Sequence, residues 1–132
     1  MEMLQKFQLW FHLKILLWHS DRQLLFKQNE IWWVSLGMNL GEEMFGKGSG
    51  FSRPVLIFKK FTSNSFLGLP LTSKEKTGSW YVEISFHTTK SWVMLNQARV
   101  LDQKRLIKRI ATLNDREVEN VKKQFLELYG RD

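Results

Sequence analysis

The side chains with the clearest chemical potential in this sequence are its cations. Twenty Lys and Arg against 13 Asp and Glu give the 132-residue chain a formal charge of +7. From Phe45 to Arg109, twelve Lys and Arg (Lys47, Arg53 and Arg99 among them) stand against Glu75, Glu83 and Asp102, so the flanks together are net acidic. A basic central body fits a phosphate backbone, with nucleic acid the first partner to consider. It fits equally the solvated face of a basic protein. Other chemistries drop out by residue type. Without cysteine there is no disulfide framework and no thiolate metal site. His12, His19 and His87 show neither HExxH nor HxH spacing, so no metal and no cofactor is expected.

The elements that must position these cations follow from periodicity. Hydrophobic residues make up 43% of the chain, with six Trp and ten Phe, enough to bury the core of one domain. Two adjacent stripes, Met3-Phe7-Trp10-Leu17 and Leu4-Phe11-Ile15-Trp18, predict an N-terminal helix over 3–18, packed through Phe7, Trp10, Phe11 and Trp18. Its apolar run is interrupted by Gln8, His12 and Lys14 and falls short of the ~20 residues a membrane span needs. Its flanks do not resemble a secretory signal, so a cytoplasmic protein without a membrane partner is expected. Short β-type runs follow at 31–36, 54–61, 65–71, 79–86, 91–100 and 107–113, with a long glycine-rich loop at 41–52 and a helical turn at 101–106. Asn114 and Glu117 form a capping-box pattern, and Val118, Val121, Phe125 and Leu128 line one face of a final helix that Gly130 ends. The expected fold is mainly β with flanking helices, a small bent antiparallel sheet or barrel at 29–132 preceded by a helical extension at 1–28.

Six segments in order carry a more specific signal: EIWWVSL at 30–36, GEE at 41–43, RPVLI at 53–57, PLTS at 70–73, NQARVLD at 96–102, and the helix at 115–129. In this arrangement the chain resembles the PemK/MazF family of toxins from type II toxin–antitoxin systems, over about three quarters of its length. The resemblance implies an SH3-like barrel of the PemK/MazF/CcdB type, usually a homodimer. It implies metal-independent, sequence-specific cleavage of single-stranded RNA, neutralised by a cognate antitoxin protein. Carried over residue by residue, the catalytic pair falls on Arg53 and Thr72. The acidic position falls on Glu43, after Gly41, and the groove-lining strand contributes Gln97 and Arg99, with Ser73 beside Thr72.

Chemistry agrees with these positions. Without a metal, RNA is cut by its own 2′-OH attacking the adjacent phosphorus, and the enzyme must stabilise charge growing on the phosphoryl oxygens. A guanidinium offers two parallel donors for that purpose, and a threonine hydroxyl offers a third. Arginine holds its proton too tightly to act as an acid or base. The Asp that Kid-like toxins of the family are proposed to use as base has no counterpart at Asn96 or Met94, which leaves Glu43 and His87 as candidates. His87 also reads as a bare surface histidine. In the glycine-rich loop, Lys47 is placed to meet phosphate. Phe51 either stacks on a base or packs into the core. Two rival functions remain open: a non-catalytic barrel that binds a protein target such as gyrase, and a module that holds nucleic acid without cutting.

Overall fold

The computed structural model describes residues 2–44, 46–48 and 50–131; Phe45 and Ser49, both in the expected 41–52 loop, lie outside them. In chain order the elements are α1 (Met3–Trp18), β1 (Glu30–Ser35), β2 (Ser52–Lys60), β3 (Ser65–Thr72), β4 (Tyr81–Phe86), β5 (Thr89–Met94), β6 (Arg99–Asp102), β7 (Leu106–Thr112) and α2 (Asp115–Tyr129). Seven antiparallel strands form one curled sheet in the order β4-β5-β3-β2-β1-β7, with β6 also paired to β3. The mainly β architecture with two helices agrees with the sequence expectation. No helix among the described residues is long and apolar enough to cross a membrane.

Both faces of the central strands are buried, which explains their unbroken apolar runs. Leu56 of β2 points into a cluster with Ile31, Leu69 and Leu71, covered by Val118, Val121 and Phe125 of α2. Its neighbours Val55 and Ile57 point the other way, into a cluster with Trp32, Val34, Phe66 and Leu106. Phe26, in the linker before β1, is fully enclosed in that second cluster. Glu30 is buried at the start of β1. Its Oε1 accepts from the Lys27 amide at 2.7 Å and the Trp32 indole at 3.0 Å, and its Oε2 pairs with Arg109 at 3.2 Å.

Three local expectations are corrected. The segment expected as one strand at 91–100 is two strands separated by a 3-10 turn at Leu95–Gln97, after which β6 leaves β5 and pairs with β3. Tyr129 of α2 holds that turn by donating to the Leu95 carbonyl at 2.5 Å. Asn114 caps α2 as expected, accepting the Glu117 amide at 2.9 Å, but no reciprocal capping box forms. The Glu117 carboxylate instead accepts the Ser85 amide of β4, at 3.1 Å, tying helix to sheet. On α1, only Trp10 is buried; Phe11 and Trp18, expected to pack, are 63% and 75% exposed. One stripe of the helix suffices for contact: Trp10 sits with Met38 and Phe51, backed by Phe7, Leu13 and Leu17. Gly37 makes this seat possible, because a Cβ there would lie 2.0 Å from a Trp10 ring carbon.

Candidate functional site

Arg53 enters β2 one residue after the glycine-rich loop, and Pro54 behind it biases it toward extended backbone. The β2–β3 register pairs Val55 with Pro70, so the antiparallel ladder carries Arg53 alongside Thr72 at the end of β3. Arg53 is only 9% exposed and Thr72 8%, unusual burial for an Arg in a strand opening. Arg53 Nη1 donates to the Leu71 carbonyl at 3.2 Å, and burial lowers the guanidinium pKa from its ordinary value. Thr72 Oγ1 accepts the Lys74 amide at 3.2 Å, which leaves the hydroxyl proton available for donation.

Two depressions meet at this pair. One, of about 430 Å³, is lined by Trp33, Lys47, Arg53, Thr72, Ser73 and Ser91. The other, of about 450 Å³, shares Lys47, Arg53 and Thr72 and adds Lys74, Lys76, Trp80, Tyr81, Met94 and Gln97. A partly desolvated guanidinium and a hydroxyl thus stand where two grooves join, with Lys47 common to both. Among the described residues no group of three or more His, Asp or Glu side chains could hold a metal ion. The composition suits a phosphodiester with a base on either side: donors at the junction, indoles on both flanks.

The remaining sequence candidates are distributed as follows. Gly41 opens the loop with φ +55°. Gln97 spends both ends of its amide on that loop, accepting from the Met44 amide at 2.8 Å and donating to the Glu42 carbonyl at 2.9 Å. Glu43 and Arg99 share a third depression next door with Gln97, not the Arg53 grooves. There, burial lowers the Arg99 pKa while the Glu43 charge raises it. Glu43 Oε1 accepts the Leu40 amide at 2.8 Å. Phe51, left open between stacking and packing, is buried with its ring 5.7 Å from Trp10.

His87 is not part of this constellation. It occupies the two-residue β4–β5 turn with Thr88, both at positive φ, at the opposite end of the hairpin from Tyr81 and Met94. Its Nε2 lies 2.7 Å from the Ile110 carbonyl of β7, so it bridges the two ends of the strand order.

Sequence reasoning missed Trp33 and Trp80. The signal for Trp33 was present: strand alternation forces one of the adjacent Trp32 and Trp33 inward and the other outward, and Trp33 is 40% exposed. Trp80, expected within an alternating strand at 79–86, lies instead in the turn before β4, which starts at Tyr81, and is exposed.

Solved structures share this architecture. MazF from Deinococcus radiodurans superposes with a TM-score of 0.67 at 19% identity, over 82% of this chain and 99% of that one. A MazE–MazF complex from the same organism gives 0.63 at 18% identity, over 83% and 99%. An endoribonuclease in complex with its cognate antitoxin from a mycobacterial species gives 0.62 at 13% identity, over 80% and 95%. No curated protein sequence matches the chain. The sequence model of PemK-like, MazF-like toxins of type II toxin–antitoxin systems matches residues 27–129, so the chain belongs to that family.

Proposed function

We propose that this toxin-family member is a sequence-specific endoribonuclease that cuts single-stranded RNA, mRNA included, without a metal. The observation that carries the reading is the convergence of Arg53 and Thr72, both nearly buried, at the junction of two aromatic-flanked basic grooves. The 2′-oxygen attacks phosphorus, the bond to the 5′-oxygen breaks, and the 2′-OH proton ends on that departing oxygen. The products are a 2′,3′-cyclic phosphate and a 5′-OH. Arg53 stabilises the dianionic phosphorane with preorganised donors, and the Thr72 hydroxyl supplies another. Lys47, Lys74 and Lys76 hold flanking phosphates, while Trp33 and Trp80 stack on neighbouring bases.

The solved structures with antitoxins support an antitoxin protein as partner; a homodimer acting in the cytoplasm is what the family resemblance implies. The toxin domain at 29–132 is preceded by an extension at 1–28 whose Phe26 packs into the domain's core. The test is incubation of purified protein with mixed-sequence RNA in EDTA, with mapping of the cut ends. Cyclic-phosphate and 5′-OH ends at a short consensus are expected, and a 2′-deoxy nucleotide at the mapped position should block the cut. Failure to cut any RNA, or full loss in EDTA, overturns the reading; intact RNA retained by the protein would mark a binding module instead.

A further inference from the structure

A second aromatic and cationic cavity lies away from Arg53, between α1 and the 3-10 turn at Gln103–Arg105. It measures about 370 Å³ and is lined by Trp10, Trp18, Leu17, Lys14, Lys104 and Arg105. Asp102, also on its wall, has its Oδ1 engaged by the Lys104 amide at 2.8 Å. Each indole already carries a cation: Arg105 sits 5.7 Å from the Trp10 ring centre and Lys104 Nζ 5.8 Å from that of Trp18. Both cations are held by backbone. Arg105 Nη1 donates to the Ser35 carbonyl at 3.0 Å, and Lys104 Nζ to the Trp18 carbonyl at 2.8 Å. Trp10 is buried, so the open indole is that of Trp18, and an exposed indole with fixed cations beside it is what an unpaired base and its phosphate require.

The cavity shares no lining residue with the Arg53 grooves or with the Arg99 depression. The Trp80 groove shares Met44, Asn96 and Gln97 with the depression that holds Arg99. Arg99 in turn lies near enough to Arg105 for their charges to interact. The link between the grooves and the helix is therefore charge proximity between Arg99 and Arg105, with no shared wall.

We propose that α1 and the Gln103–Arg105 turn build an outlying nucleotide site that takes a base and phosphate of single-stranded RNA beyond the cleaved step. It rests on reading the Arg53 grooves as an RNA site. Trp18 stacks on the base, and Lys14 and Lys104 meet the phosphate. The extension thereby lengthens the stretch of RNA the protein holds.

The test uses the full chain and random-sequence 2′-O-methyl RNA pools of about 4 and about 14 nucleotides, which resist cutting and bracket common single-strand site sizes. Trp18→Ala and Lys14→Glu should each weaken the long pool by about 5-fold to 100-fold, as loss of one stacked base or phosphate contact does, and leave the short pool unchanged. Trp18→Phe should restore most of the affinity. Because Trp18 and Lys14 are exposed, both variants should melt like wild type; should Trp18→Ala unfold, Lys14→Glu carries the test. Unchanged affinity for the long pool, or equal losses for both pools, overturns the proposal. So does the loss, in Trp18→Ala, of binding to phosphatidylserine vesicles or of a dimeric mass without any RNA effect; that assigns the face to a membrane or a second copy. A wild type that cuts no RNA yet shows the length-dependent losses refutes the cleavage reading and keeps this site. A wild type that cuts RNA while the variants bind the long pool normally does the reverse.

Discussion

Arg53 donates to the carbonyl oxygen of Leu71, the residue just before Thr72, so one hydrogen bond of 3.2 Å couples the two members of the candidate pair through the backbone. Removing one preorganised donor from such a site costs about 10²–10³ in rate. Arg53→Ala should lose at least that in single-turnover cleavage. Arg53→Lys should recover little, because an ammonium lacks the planar fork. Since the side chain is nearly buried and hydrogen-bonded, Arg53→Ala should also lose about 1 kcal/mol of stability. Cleavage near the wild-type rate in either variant would refute the assigned role.

Thr72 tests the hydroxyl separately from the guanidinium. Thr72→Val keeps the shape but removes both the acceptor for the Lys74 amide and the donor facing the grooves. Single-turnover cleavage should fall by roughly 10²-fold, the low end for one lost donor. Thr72→Ser should retain most activity. An active valine variant would reduce Thr72 to a strand residue.

The Glu30 network predicts an asymmetry between partners. Glu30→Ala leaves a buried indole N–H, an amide and Arg109 without their acceptor and should cost about 3–5 kcal/mol. Arg109→Ala should cost less than about 1 kcal/mol, because its side chain is 61% exposed while Glu30 keeps two other donors. Urea midpoints for the two variants check this; equal losses would refute it. The same network gives a physical reason for the EIW run at the head of β1.

Much of the fold was legible in the sequence because local rules and tertiary packing agree there. The α1 bounds follow from its apolar stripes, and Asn114 from its capping chemistry. What was not legible depended on long-range choices. Phe11 and Trp18 look like core residues by type, yet the barrel offers a seat to one stripe only. Glu117 has the spacing of a reciprocal cap, but Ser85 of β4 competes for its carboxylate. His87 is a residue type that can act as a base, and only the hairpin shows that it sits at the far end from Tyr81 and Met94. The pairing of Arg53 with Thr72 was available through family resemblance and the outward face of Trp33 through strand alternation; the place of Trp80 needed the folded sheet.

Gly37 should tolerate no side chain. Its φ of +78° disfavours any L-residue, and an added Cβ would enter the Trp10 ring. Gly37→Ala should cost about 1–3 kcal/mol from overpacking and backbone strain, and Trp10 should become more solvent-exposed by fluorescence. An unchanged melting temperature and emission maximum would show that α1 does not depend on this seat.

Truncation separates the helix from the linker. Removal of residues 1–20 strips α1 and exposes Met38 and Phe51, which should lower the melting temperature while leaving a folded barrel. Removal of residues 1–27 also takes away Phe26, fully buried beside Phe66 with ring centres 5.3 Å apart, and should cost a further 3–5 kcal/mol or so. Circular dichroism melts of both truncations check this; equal stability would place the domain boundary at 28.

β3 belongs to two parts of the sheet at once. Ser65–Gly68 pair with β6, whereas Leu71 and Thr72 pair with β5. Arg53, by contrast, is anchored across from Val34 on β1. Arg53 therefore reaches Thr72 across the β2–β3 pairing, at the end of β3 where that strand has passed from β6 to β5 as its other neighbour. The spacing of the pair is thus set by strand pairing in the sheet rather than by any loop. A substitution that slips the β2–β3 register should therefore separate the pair and lower turnover.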